Sequence, residues 1–242
     1  MFDPAVFFNT ENAIFTGLFE NTQYVWEGLA GILKYITDNI KPNIADIITE
    51  GNLIKETVTL PNSAMIYAGA YLSGPNIQIG SGTVIEPSAY IREPAIIGNN
   101  SEIRQAAYIR GSVVIGDGCV VGHATEMKNS VMLGESKAGH FAYIGDSILG
   151  KVNLGAGTKL ANLKVTESKI HISAEGQKYT TGLRKFGAIL ADNVETGCNS
   201  VTSPGTILSK NCILYPNTTA RGYYPANTII KLRQNIEKGE FN

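Results

Sequence analysis

Arg92, Arg110 and Lys128 stand 18 and 18 residues apart, and His140 follows Lys128 by 12. Cations repeated at a fixed spacing become a recognition device for phosphate when the chain stacks its repeats over one another. A histidine beside such a column, with an unperturbed pKa of ~6.5, is suited to take a proton near neutrality. His140 sits within Ser136-Lys137-Ala138-Gly139-His140-Phe141-Ala142-Tyr143-Ile144-Gly145-Asp146, and Asn153-Leu154-Gly155-Ala156-Gly157-Thr158 follows. Glycines in that second stretch let a ligand approach the backbone closely. At this level an anion site and a solvated basic edge both stay open.

Those spacings carry meaning only if the chain stacks at that period. From Ile79 every sixth residue is aliphatic: Ile79, Ile85, Ile91, Ile97, Ile103, Ile109, Ile115, Val121, Met127 and Leu133. The residue two before each is mostly small or slim, among them Thr83, Ala89, Ala95, Ser101, Ala107, Cys119 and Thr125. Leu60, Ile66 and Leu72 keep the period one register off, which predicts a one-residue bulge before Ile79. Neither an amphipathic helix nor a hairpin repeats every six residues, whereas a hexapeptide β-helix does. Three hexapeptides make one coil, and coils stack at ~4.8 Å. The three cations each follow an inward-facing position, so they line one edge in a column with no acid interleaved.

The expected fold class is therefore all-β, a left-handed parallel β-helix over 51–224. A short N-terminal helical arm is expected over 1–50 and an extended or helical C-terminal tail over 225–242. In the arm, Tyr24, Trp26, Leu29, Leu33, Ile36 and Ile40 keep helical spacing between a cap at Asn21 or Thr22 and a stop at Pro42. Ile44, Ile47 and Ile48 predict a second short helix before Gly51. The repeat loosens after Gly134, resumes at Ile144, Leu154 and Leu160, and is interrupted by an excursion at about 164–185. Such an insertion projects as a loop, where repeat scaffolds commonly carry function.

Composition excludes several function classes. With 20 Lys and Arg against 21 Asp and Glu in 242 residues, the net charge of −1 supports no nucleic-acid surface and no anionic-membrane surface. Glycine at 26 residues, without a collagen period, points to many tight turns. Cys119, Cys198 and Cys212 form neither a disulfide framework nor a zinc pair. Without a signal-peptide pattern or a run of ~18 apolar residues, the expectation is a cytoplasmic protein. The histidines are His123, His140 and His171, spaced 17 and 31, which lacks the His-x4-His spacing of γ-class carbonic anhydrases; no metal is expected.

The block from Ser136 to Asp146, with Asn153 to Thr158, closely resembles the acetyltransferase half of the bacterial bifunctional enzymes that make UDP-N-acetylglucosamine. Thr181-Gly182-Leu183-Arg184-Lys185-Phe186-Gly187 looks more like the similar domain of archaeal sugar-1-phosphate nucleotidylyltransferases. The resemblance covers about residues 60 to 233. It implies acetyl transfer from acetyl-CoA, as co-substrate, to the amine of an amino-sugar 1-phosphate, with glucosamine-1-phosphate favoured. In that family's terms His140 is the catalytic base, Arg110 and Lys128 hold the sugar phosphate, and Tyr143 and Asn153 contact the amino sugar. Lys185 matches a lysine that a neighbouring subunit contributes, while Ala156, Asn162, Cys198 and Arg233 match acetyl-CoA contacts. Leu163 stands where the bacterial enzymes have an aromatic residue, and Cys198 where they have serine. The resemblance further implies a homotrimer, with the 164–185 excursion reaching away from its own prism toward a neighbour, and a separate nucleotidyltransferase as partner, because fifty N-terminal residues are too few for a nucleotide-binding domain. No covalent intermediate is needed, and an oxyanion donor is expected from the Gly155-Ala156 backbone. The rival reading is a non-catalytic scaffold or regulatory homologue.

Overall fold

The computed structural model describes residues 1–48, 52–233 and 235–240; the expected boundary at residues 50 and 51 lies outside them. Successive hexapeptides visit three sheets of ten, eight and eight strands, and neighbouring strands are parallel except where Val58–Thr59 meets Met65–Ile66. The result is a parallel β-solenoid of about nine turns. The predicted inward series is buried from Ile79 to Met127. It ends one residue early, because Met132 rather than Leu133 takes the slot beside Ile115. The expected bulge is present: Leu72 pairs with Ile91, 19 residues on, whereas Ile79 pairs with Ile97, 18 on.

The small residues inside the corners do more than make room. Thr83 Oγ1 donates to the Gly98 carbonyl (2.6 Å) and accepts from the Ser101 amide (3.0 Å). Ser101 repeats the pattern with Gly116 and Cys119. Each hydroxyl thus satisfies corner polar groups that the dry prism would otherwise strand.

We name the sheets by what lies outside them. The site face contains Tyr71–Ser73, Tyr90–Arg92, Tyr108–Ile109, Glu126–Lys128, Tyr143–Gly145, Lys159–Leu160, Val201–Thr202 and Thr219–Ala220. The open face includes Val120–His123, Lys137–His140, Asn153–Leu154 and Glu195–Thr196, and it continues to Ile229–Ile230. The covered face runs from Ile77–Ile79 to Tyr223–Tyr224, and its strands at 113–115, 130–132, 188–190 and 206–208 are buried at every residue. A sheet buried on both sides reads as a continuous apolar run, and here the N-terminal helices supply the second cover.

Those helices are α1 (Pro4–Phe7), α2 (Ala13–Leu18) and α3 (Gly28–Asn39), with single 3₁₀ turns at Val25–Glu27 and Ala45–Ile47. The expected cap at Asn21 or Thr22 is replaced by Glu27, whose carboxylate accepts from the Gln23 and Tyr24 amides (2.7 and 2.9 Å). The segment lies along its own prism, climbing from Phe2 against Tyr223 (ring centroids 5.2 Å), through the Phe7 carbonyl on the Asp192 amide and Asn12 on the Leu133 carbonyl, to Asn43 on Ile77 and Ile79. Burying Phe2, Phe7, Phe8, Trp26, Ile32 and Ile36 there is what holds it.

The excursion also departs from expectation. His171–Ala174 and Gln177–Thr180 form an antiparallel hairpin around Glu175-Gly176. Its Tyr179 packs edge-on to Phe2 (5.1 Å) and meets Tyr24 and Trp26 (5.9 and 6.1 Å). The hairpin therefore folds back on its own chain, because Ile170, Ile172 and Ala174 find apolar cover there; the stretch 165–169 and the hairpin turn at 175–178 stay exposed. At the other end the last coil passes the expected boundary at 224, and the described residues beyond Ile230 form neither helix nor strand.

Candidate active site

The cation column exists as read. Arg92 lies beside Ser73, Ile91 pairs with Ile109, Met127 pairs with Ile109 in turn, and Lys128 lies beside Gly145. Arg92, Arg110 and Lys128 therefore follow one another along the same edge of the site face. Acids are nevertheless present. Arg110 Nη1 meets Glu126 Oε1 at 2.6 Å, and Lys128 Nζ meets Asp146 Oδ2 at 3.3 Å. The sequence reading missed them because they come from adjacent coils and not from the column itself. The hydrogen bond to Glu126 raises the Arg110 pKa further and keeps its charge fixed. One N–H of Arg110 and one of Lys128 are so engaged, which leaves each with donors for an external anion.

Asp146 is the residue that sequence reasoning quoted only as the end of a motif. Its side chain is 6% exposed, and it collects Lys128, the Asn129 amide (2.8 Å on Oδ1) and the Asn162 amide on Oδ2. The corner that makes this possible is one residue short: Met127 reaches Met132 in five steps where Ile109 reaches Ile115 in six. Gly145 completes it. A Cβ there would fall 2.6 Å from the Tyr143 hydroxyl and 2.8 Å from Asn162 Nδ2, so only glycine lets both groups converge. Burial, reinforced by Glu126 and Asp146, pushes the Tyr143 phenol up, so that it stays a neutral hydrogen-bonding hydroxyl.

His140 occupies the opposite edge of the site face, at the corner where the open face turns into it. A ladder of backbone bonds ties that corner from coil to coil: the Phe141 amide donates to the His123 carbonyl (2.6 Å), Gly157 to His140 (3.1 Å), Asn199 to Ala156 (2.8 Å) and Asn217 to Cys198 (2.9 Å). His123, His140, Ala156 and Cys198 thus stack in one column, which Pro216 and Leu232 extend by the register of Ile213 with Ile229. At His140 the column changes character. Toward the N-terminus it presents His123, and toward the C-terminus alanine, cysteine, proline and leucine. The Gly155 amide, expected as an oxyanion donor, is committed to the Thr196 carbonyl at 2.8 Å. The Ala156 amide has no acceptor among the described residues, which leaves it as the corner donor next to His140.

The structure brings Arg110, Lys128, Tyr143 and Asn162 together on the site face, with His140 at its edge. Asn153 is elsewhere: it projects from the open face, where its amide donates to Glu195 at 2.9 Å. Lys185 lies at the base of the excursion, bridged to Leu163. Arg233 is exposed just past Leu232, whose amide reaches Thr218 Oγ1 at 3.2 Å. Below Asn162 a cavity of about 560 Å³ opens between Leu163 to Ser168 and the site-face residues Ala161, Val201, Ser203 and Arg221. Among the described residues no cluster of three or more histidine, cysteine, aspartate or glutamate side chains could hold a metal, and no helix is long and apolar enough to cross a membrane.

Known proteins share this stretch. A family model described as the GMPPB C-terminal domain matches residues 91–177, the segment holding Arg92, Arg110, Lys128 and His140. The chain is 38% identical over 82 residues to the bifunctional sugar-1-phosphate nucleotidylyltransferase/acetyltransferase of Sulfurisphaera tokodaii, covering 34% of this chain and 20% of that protein. It is 37% identical over 83 residues to the bifunctional protein GlmU of Methanococcus vannielii, again covering 34% of this chain and 20% of that protein. The match thus spans about a fifth of the length of these relatives. Among solved structures, a UDP-N-acetylglucosamine acyltransferase from Campylobacter jejuni aligns over 66% of this chain and 69% of its own, at 18% identity and a TM-score of 0.38. The resemblance read from the His140 motif is to these bifunctional sugar-phosphate enzymes.

Proposed function

We propose that the chain transfers an acetyl group from acetyl-CoA to the amine of an amino-sugar 1-phosphate, glucosamine-1-phosphate being favoured, in the supply of UDP-N-acetylglucosamine-type precursors. The observation that carries the reading is the change of character at His140. On its N-terminal side the site face offers Arg110 and Lys128 for a phosphate, with Tyr143 for a sugar hydroxyl. On its C-terminal side the corner column offers a slim apolar track past Ala156, Cys198 and Pro216 to Leu232, with Arg233 beyond. Four coils at ~4.8 Å give about 19 Å, close to an extended pantetheine arm.

In this reading the phosphate docks on Arg110 and Lys128, and binding energy at that remote anion orients the amine toward the corner. His140 takes a proton from the sugar ammonium, and the freed amine attacks the thioester carbonyl. The oxyanion of the tetrahedral adduct accepts from the Ala156 amide. Collapse breaks the C–S bond, the CoA sulfur takes the proton held by His140, and the second proton on the attacking nitrogen is lost to solvent, which leaves the neutral amide. Asn162 and the cavity beside it serve the donor, Asn153 serves the acceptor with Tyr143, and Lys185 serves the acceptor of a neighbouring copy. The rival reading, a non-catalytic homologue, draws on the Glu126 and Asp146 pairs, which already neutralise two cations of the column.

Thiol release from acetyl-CoA, assayed against a panel of amino-sugar 1-phosphates, decides between them. His140→Ala should lower kcat by about 10²- to 10⁴-fold with little change in KM for the sugar phosphate. A fully active His140→Ala chain would sink the mechanism. Absence of thiol release by the wild type with every acceptor gives the answer to the scaffold.

A further inference from the structure

Eight corners where the open face turns into the site face share one backbone plan, in which the second corner residue adopts a positive φ. These residues are Gly69, Ser88, Ala106, Ala124, Phe141, Gly157, Asn199 and Asn217. Seven are small residues or asparagine, as the left-handed region favours. The eighth is Phe141, at φ 34, a bulky aromatic in a conformation that costs it energy. Burial does not explain the choice, since Phe141 remains 52% exposed. Its ring centroid lies 6.3 Å from that of His140. The ring extends over the next coil, where a Cβ on Gly157 would stand in van der Waals contact with Phe141 Cε2 at 3.4 Å, its one close approach being to Asn199 Oδ1 at 2.6 Å. Among the described residues no hydrogen bond orients the His140 imidazole, so this ring is its aromatic neighbour.

We propose that Phe141 is a specificity-determining wall of the acyl-donor track, packing against the acyl group and the adjoining cysteamine of an acyl-CoA at the point where they pass from His140 to Ala156. The proposal rests on the acyl-transfer reading and goes beyond it by naming the residue that sets acyl length. The strained backbone aims the ring down the column toward Gly157 and Ala156, on the donor side of the base and away from Arg110 and Lys128 on the acceptor side. A longer acyl chain would meet the ring; an acetyl group fits beside it.

The test compares wild type with Phe141→Ala and Phe141→Gly in three measurements. Calorimetric binding of acetyl-CoA, without acceptor, should weaken about tenfold in both variants, the loss expected when one apolar side-chain contact is removed. In turnover, the preference for acetyl-CoA over butyryl-CoA should fall or invert, while KM for the sugar phosphate stays within twofold. Thermal stability should hold or rise, most in Phe141→Gly, whose glycine suits the positive φ. A fall in thermal stability with acetyl-CoA affinity and chain-length preference unchanged would make Phe141 a structural residue and overturn the proposal. A wild type that binds acetyl-CoA yet acylates no amino-sugar phosphate overturns the reaction alone, and the binding ratio still decides Phe141. A wild type that binds no acetyl-CoA overturns both.

Discussion

The Asp146 carboxylate joins the two residues to which the proposed reaction gives acceptor and donor roles, since Lys128 approaches it from one coil and Asn162 from the next. Asp146→Ala should therefore destabilise the chain by about 3 kcal/mol, because it strands two amides and an ammonium around a mostly buried position; urea denaturation measures this. Lys128→Ala removes a contact already made in the ground state, so it should raise KM for the sugar phosphate more than it lowers kcat. Cysteine chemistry gives an independent test of the proposed donor track. Burial pushes the Cys119 thiol up to about 12 and raises that of Cys212, whereas Cys198 is exposed. At pH 8 a disulfide reagent should titrate one thiol in the native chain and three after denaturation, and acetyl-CoA should protect the first if the donor runs past Cys198. The cation column and His140 were legible because a strict period converts sequence distance into spatial order. Glu126 and Asp146 were not recognised as partners: Glu126 reaches Arg110 from the neighbouring coil, two residues before Lys128, and Asp146 lies a further 18 residues beyond Lys128, where the column of cations had ended.

Among the elements, α3 shows how far pattern alone reaches. Its apolar spacing announced a helix, yet nothing in that spacing says which surface it covers; the all-buried strands of the covered face do. Ile32→Ala should cost about 2–5 kcal/mol, as for a fully buried aliphatic residue, despite lying outside the prism. Helices α1 and α2 escaped notice because four and six residues fall below any periodic window. They owe their existence to caps at Asp3 and Asn12 and to the aromatic cover beneath them. The hairpin at 171–180 did leave a signal, Ile170 and Ile172 alternating before a Glu175-Gly176 turn, both of whose residues adopt positive φ. Tyr179→Ala opens one wall of the pocket around the single tryptophan. Trp26 emission should shift to the red, while an exposed substitution such as Lys178→Ala leaves it unchanged.

At the scale of the molecule, the site face presents one wall: His140 at one edge, the cations at the other, and solvent in front. A heterologous contact repeated about a threefold axis would supply the facing wall. A trimeric mass by light scattering at micromolar concentration is the expected outcome, and a monomeric mass refutes it. The parallel solenoid was legible because its six-residue period has no competitor, while the shape of its partner surface has no periodic signature. The direction in which the helical segment climbs carries a consequence for biosynthesis. Phe2 and Phe7 are synthesised before Tyr223 and Asp192, on which the Phe2 ring and the Phe7 carbonyl settle, and some two hundred residues separate each pair. Until those later residues are made, although domains otherwise fold from the N-terminus onward, that aromatic segment has no native seat. A nascent chain stalled before the final coils should carry an exposed greasy hook, and it should recruit a holding chaperone until the solenoid is long enough to receive it.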